Sequence, residues 1–182
     1  RLRHGYLPDR QKERREGLRR WIEVDRKALA HNFSVFRELI PVKTKLMAVV
    51  KSNAYGHGLI GFSREMEKLG ADFLGVDSMT EARALRREGV RLPILVLGYT
   101  MPELFQEAAD NRISLTVSSF ETLNALKKTK VKAPLRIHIK VDTGMHRQGF
   151  LAKDLPEVLS SLLKIKDKRL RIETSGLYTH FA

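Results

Sequence analysis

Short apolar runs alternate with amphipathic helical stretches along most of this chain, and that alternation limits its possible folds more than any other feature. An opening strand is expected over Arg20–Val24, then a helix capped by Asp25 that runs to Ile40, where Pro41 breaks it. From there the cycle reads strand 45–50, helix 59–69; strand 73–77, helix 79–88; strand 94–97, helix 102–110; strand 113–117, helix 119–128; strand 135–141, helix 154–165; strand 172–179. Gly70, Gly89 and Gly98 fall at element ends, as helix stops and strand exits should. Strands separated by single helices pair in parallel, because the crossover needs a helix's length. An open doubly wound sheet or a (β/α)8 barrel satisfies the pattern. No G-x-G-x-x-G turn follows the first strand of the cycle, which weighs against a dinucleotide site.

The fifth strand of that cycle favours the barrel. In Leu135-Arg-Ile-His-Ile-Lys-Val-Asp142, apolar and polar residues alternate, so Arg136, His138, Lys140 and Asp142 share one face. In a barrel the aliphatic row packs on the helices and the polar row faces the lumen. An antiparallel edge strand with one wet face alternates in the same way. In the cycle's first strand Met47, Val49 and Lys51 lie on one side, so this lysine is expected to point inward too.

Three segments carry chemistry. Lys51 ends an apolar run and opens Lys51-Ser-Asn-Ala-Tyr-Gly-His-Gly58. A charge there is costly to bury and calls for a partner or a covalent use, and a desolvated amine is a nucleophile toward carbonyls. A Schiff-base lysine for pyridoxal phosphate (PLP) has that requirement. The small residues behind it let the chain pass close to a ligand, and the Tyr55 hydroxyl can reach a phosphate oxygen. Asp142-Thr-Gly-Met-His-Arg-Gln-Gly149 follows a strand's C-terminal end, where Arg147 can pair with a carboxylate or phenolate. His180 closes Gly176-Leu-Tyr-Thr-His-Phe181. Each has a plainer reading: a surface lysine at a strand exit, a loop aromatic, an exposed loop arginine, a hydrogen-bonded structural histidine. His57 and His138 carry that last reading as well. No metal-ligand spacing and no serine nucleophile elbow occurs.

Composition removes other classes. Without cysteine there are no disulfides or thiolate metal sites, which fits a reducing compartment. No apolar run approaches the roughly 20 residues of a bilayer span, and no secretory core is evident. The net charge of +13 is concentrated in residues 1–20, with eight Arg and Lys against three acids, and in Lys127–Lys140, which holds no acid. These tracts lack the interleaved aromatics that stack bases, so they read as a solvated arm and a solvated helix end rather than a nucleic-acid surface. The chain starts at Arg1 and its last motif runs into the C-terminus, so both ends look cut.

Taken together, several stretches resemble the N-terminal half of alanine racemase, a fold-type III PLP enzyme. They are Trp21-Ile-Glu-Val-Asp25 with Ala30-His-Asn32, Ala48-Val-Val-Lys-Ser-Asn-Ala-Tyr-Gly-His-Gly58, and Gly75-Val-Asp77 with Glu81-Ala82. Lys140-Val-Asp-Thr-Gly-Met-His-Arg-Gln-Gly149 and Tyr178-Thr-His-Phe-Ala182 complete the set. The likeness covers residues 20–182, implying part of a PLP-binding (β/α)8 barrel (about six of eight units) behind a basic tail over 1–19. It implies that Lys51 holds PLP and is one of two α-proton bases, on the D-alanine side. Tyr55 would bind the cofactor phosphate, and Arg147 would hydrogen-bond its phenolic oxygen and help orient the substrate carboxylate. His180 would lie against the pyridine ring, and Lys140 matches a position carbamylated in many members.

The resemblance further implies alanine as substrate, a cytoplasmic homodimer and D-alanine supply for peptidoglycan. In the family, an arginine beside the pyridine nitrogen, the last barrel strands and a β-domain carrying the second base, a tyrosine, all fall outside these 182 residues. On that expectation the fragment alone is inactive, as a piece of a longer product. A serine or broad-specificity racemase of the same fold type is the near alternative. A non-catalytic PLP-binding barrel is the distant one, and its lysine motif differs.

Overall fold

The computed structural model describes residues 22–167 and 170–181. The basic arm 1–19, Arg20 and Trp21 of the expected opening strand, and Ala182 lie outside them. Helix α1 (Arg26–Leu39) begins at Asp25, whose carboxylate accepts the amides of Lys27 at 2.8 Å and Ala28 at 3.2 Å. Those are donors that a first helical turn leaves unbonded. Seven strands follow: β1 (Met47–Val49), β2 (Phe73–Val76), β3 (Ile94–Val96), β4 (Ile113–Val117), β5 (Leu135–Asp142), β6 (Phe150–Leu151) and β7 (Ile172–Thr179). Helices α2 (Leu59–Leu69), α3 (Met79–Arg87), α4 (Phe105–Asp110) and α5 (Phe120–Lys128) follow β1 to β4 in turn, and α6 (Leu155–Asp167) links β6 to β7.

All strand pairings are parallel, in the order β1-β2-β3-β4-β5. Strands β4 and β7 both pair with β5 at Ile137–Ile139, so they occupy its two edges. The short β6 takes Val141 and Asp142 beyond the end of β4. With parallel partners on both sides, β5 is not an antiparallel edge strand, and the barrel-type reading stands. Two expectations need correction. Ile22–Val24 form no strand, because no described strand offers them a ladder. The chain also gains the two-residue β6, too short for any period to announce.

The core lies between the sheet and its helices. Leu135 and Ile137 are fully buried and Ile139 is 2% exposed, packed in one cluster with Leu123, Leu126 and Val158 from α5 and α6. Each such side chain contributes about 1.5–3 kcal/mol by leaving water. At the N-terminal end of the sheet, Arg86 of α3 donates to four backbone carbonyls, those of Val90, Leu92, Asn111 and Arg112, at 2.8–3.2 Å. It thereby ties together the loops entering β3 and β4. Arg83 grips Glu107 through two bonds of 2.7 and 2.8 Å, joining α3 to α4.

His138, on the polar row of β5, packs against Gly176 so closely that a β-carbon there would lie 2.8 Å from its ring. Its Nδ1 is buried and has no hydrogen-bond partner among the described residues, and burial lowers its pKa from the ordinary 6.5. The unfolded chain therefore takes this proton more readily than the folded one. The stability of the neutral ring is fully present above 6.5 and is lost as pH falls through 6.5 toward the folded value. Denaturation midpoints should drop on acidification below that point, and His138→Gln should flatten this limb. An unaltered limb would contradict the assignment.

Candidate active site

Parallel strands bring all their C-terminal ends to one rim, and the residues singled out by chemistry gather there. Lys51 lies two residues beyond β1, Asp77 directly follows β2, Asp142 closes β5, Arg147 stands in the loop before β6, and His180 follows β7.

The segment after β1 is a left-handed helical turn over Lys51–Tyr55, with φ between 52° and 57° at Ser52, Asn53, Ala54 and Tyr55. A left-handed conformation costs a residue with a β-carbon roughly 1–2 kcal/mol, so four in succession persist only if the surroundings impose them. The restraints are visible. Asn53 accepts the Leu59 amide on its side-chain oxygen at 2.8 Å, and its carbonyl accepts Gly56 and Gly58. His57 Nδ1 lies 2.8 Å from the Ala54 carbonyl. From α3, Glu81 accepts the Asn53 amide at 3.3 Å on one carboxylate oxygen and the Asp77 amide at 2.8 Å on the other.

This turn corrects the expected setting of Lys51. Strand alternation does not aim the side chain, because the chain leaves extended geometry before reaching it. Nor is the amine sequestered: the side chain is 29% exposed, with Nζ 4.0 Å from Asp77 Oδ1. Water and a carboxylate share it.

The buried amine is that of Lys140, whose residue is only 5% exposed. Its Nζ lies 5.8 Å from the centre of the Tyr178 ring. Burial pushes its pKa down, the positive charges of Arg147 and Lys51 add to that, and Asp142 opposes them. Tyr178 is held in place through its hydroxyl, 3.0 Å from Thr116 Oγ1, which itself donates to the Val96 carbonyl at 2.7 Å. Lys51 and Arg147 thus both lie within electrostatic reach of Lys140.

The loop carrying Arg147 folds back on Asp142, whose Oδ1 accepts the amides of Gly144 and His146, both at 3.0 Å. Those bonds hold the Asp142 carboxyl below the usual carboxylate range. Gly149 has φ +133°, and a β-carbon there would lie 2.6 Å from the Asp142 nitrogen, so only glycine closes this loop. Gln148 ties it to the exit of β3 through the Leu97 carbonyl at 3.2 Å. Tyr55 and His180 share the rim, both exposed, and neither side chain forms a hydrogen bond among the described residues.

Sequence reasoning from chemistry alone passed over Asp77 and Glu81. The available signal was the Ser78-x-x-Glu81 pattern of a helix start, borne out by the Glu81 amide bonding Ser78 Oγ at 3.4 Å. A cleft of about 850 Å³ opens at the opposite end of the strands, lined in part by Lys45, Arg91, Arg112 and Arg136. It lies away from the chemistry above. Among the described residues no His/Cys/Asp/Glu cluster suits a metal, and no helix is long and apolar enough to cross a membrane.

Residues 24–182 match the family model described as alanine racemase, N-terminal domain. The chain is 42% identical over 165 residues to an alanine racemase of Methanococcus maripaludis and 44% identical over 163 residues to one of Listeria monocytogenes. Each comparison covers 89% of this chain and 43% of the relative, so the chain spans less than half the length of these curated relatives. A solved alanine racemase of Bacillus anthracis with bound L-Ala-P superposes with a TM-score of 0.80 at 38% identity, over 89% of this chain and 42% of that one. One from Clostridium difficile in complex with cycloserine gives 0.75 at 33% identity, over 86% and 43%.

Proposed function

We infer that this chain, which belongs to the alanine racemase N-terminal-domain family, forms the PLP-bearing part of an enzyme that interconverts L-alanine and D-alanine. The observation that carries the reading is the convergence of Lys51, Lys140 and Arg147 on the C-terminal rim of a parallel sheet. The donor set fits the cofactor: an accessible primary amine suits an aldehyde, and a guanidinium and a phenol suit its oxygen atoms. When bound, PLP supplies an electron sink that acidifies the α-carbon. Lys51 would hold the cofactor and serve as the α-proton base on the D-alanine side, and the Tyr55 hydroxyl would bind its phosphate. Arg147 would donate to its phenolic oxygen and help orient the substrate carboxylate, and His180 would face its ring.

Inversion needs a base on each face, and the second is a tyrosine from the remainder of the enzyme, reaching across a homodimer. The enzyme acts in the cytoplasm and supplies D-alanine for peptidoglycan. Solvent deuterium is the test: in the full-length product, it should enter the α-position of both alanine enantiomers. Entry into serine and not alanine would replace the substrate, and no entry into either would overturn the reading.

Lys140 is the site of a carbamate in the same reading. Its depressed basicity leaves a lone pair that attacks CO2; the N–C bond forms, one proton leaves, and the new anion pairs with Arg147. Incubation with carbon-13 bicarbonate should produce a carbamate resonance that Lys140→Ala removes. A resonance that survives this substitution would place the modification elsewhere.

A further inference from the structure

We propose that Glu81 is the positioning residue that holds the Lys51 turn in its left-handed form and so sets the cofactor affinity of the lysine. The inference rests on the PLP reading of the site. The carboxylate spans two segments that both bear on the amine: Oε1 takes the Asn53 amide at 3.3 Å and Oε2 takes the Asp77 amide at 2.8 Å. Asp77 in turn places its own carboxylate 4.0 Å from Lys51 Nζ. Glu81 itself is part-buried, anchored by α3 and by Ser78 at that helix's start.

A capping-box acid would accept the amide of its N-cap, Ser78, whereas Glu81 accepts those of Asn53 and Asp77. The first is a long-range strut to a backbone stretch that Ser, Ala and Tyr rarely adopt. Relaxation of that turn toward right-handed geometry would swing Lys51 away from Asp77 and from the neighbouring Arg147 and Lys140. Four consecutive left-handed residues are strained, so loss of an acceptor that holds one of them should loosen the turn. A carboxylate offers both oxygens as acceptors; a carboxamide offers one and turns a donor toward the other amide.

The test compares the 182-residue chain with its Glu81→Gln and Ser78→Ala variants. Ser78→Ala weakens the same helix start but leaves both Glu81 oxygens, so it reports what helix capping alone does. Without cofactor, amide exchange at Asn53 or Asp77 should quicken by about tenfold or more in Glu81→Gln, with core amides such as Leu74 and Leu95 unchanged. With limiting PLP and borohydride, the fraction trapped on Lys51 should fall several-fold in Glu81→Gln and stay near wild type in Ser78→Ala. Equal trapping in all three chains overturns the inference, as does an equal loss in both variants. Should the wild-type chain trap no PLP on Lys51, the cofactor reading fails. Exchange at Asn53 and Asp77 then decides by itself whether Glu81 holds the turn.

Discussion

Lys51→Ala is expected to erase the stable visible band that the chain acquires with PLP. The effect should be complete because the competing amines are differently placed. Lys140 is buried at 5% exposure, and the positive charge of Arg147 acts on it. The other lysines among the described residues are exposed or half-buried and should form only reversible adducts that are lost on gel filtration. Among the described residues, Lys51 alone combines a part-exposed side chain, a nearby carboxylate and a turn whose strain is maintained by its neighbours. Persistence of the band in Lys51→Ala would end the assignment.

The largest effect on stability away from the rim is expected at Arg86. Its guanidinium serves four carbonyls on two loops, and burial, its largest perturbation, lowers its pKa. Arg86→Ala leaves those acceptors to water where water can enter and unpaired where it cannot, costing about 2–4 kcal/mol. The urea midpoint should fall with little change in slope. A loss below about 0.5 kcal/mol would mean that solvent replaces the guanidinium freely.

Much of the architecture was legible from hydrophobic period and punctuation. Strand β7 occupies 172–179 as read, β4 occupies 113–117, and the alternation in β5 separated a buried aliphatic row from a polar one. Asp25 capped the first helix as its type and place suggested. What failed shows where local patterns lose force. Ile22–Val24 have strand-like residues, but a strand depends on a partner elsewhere in space. The left-handed turn was invisible because Ser52, Ala54 and Tyr55 do not prefer that geometry; Asn53, the glycines and the distant Glu81 impose it together. For the same reason Lys51 could be picked out as a chemical group while its surroundings were misjudged. The dry position belongs to Lys140, over the Tyr178 ring; strand period put it on the polar row but not at that depth.

The rim reading is tested most directly by reducing the PLP-treated chain with borohydride and mapping the pyridoxyl group by peptide mass. The account predicts one dominant label, on Lys51, at stoichiometric cofactor. A label spread over surface lysines, or centred on Lys140 with Lys51 free, would contradict it.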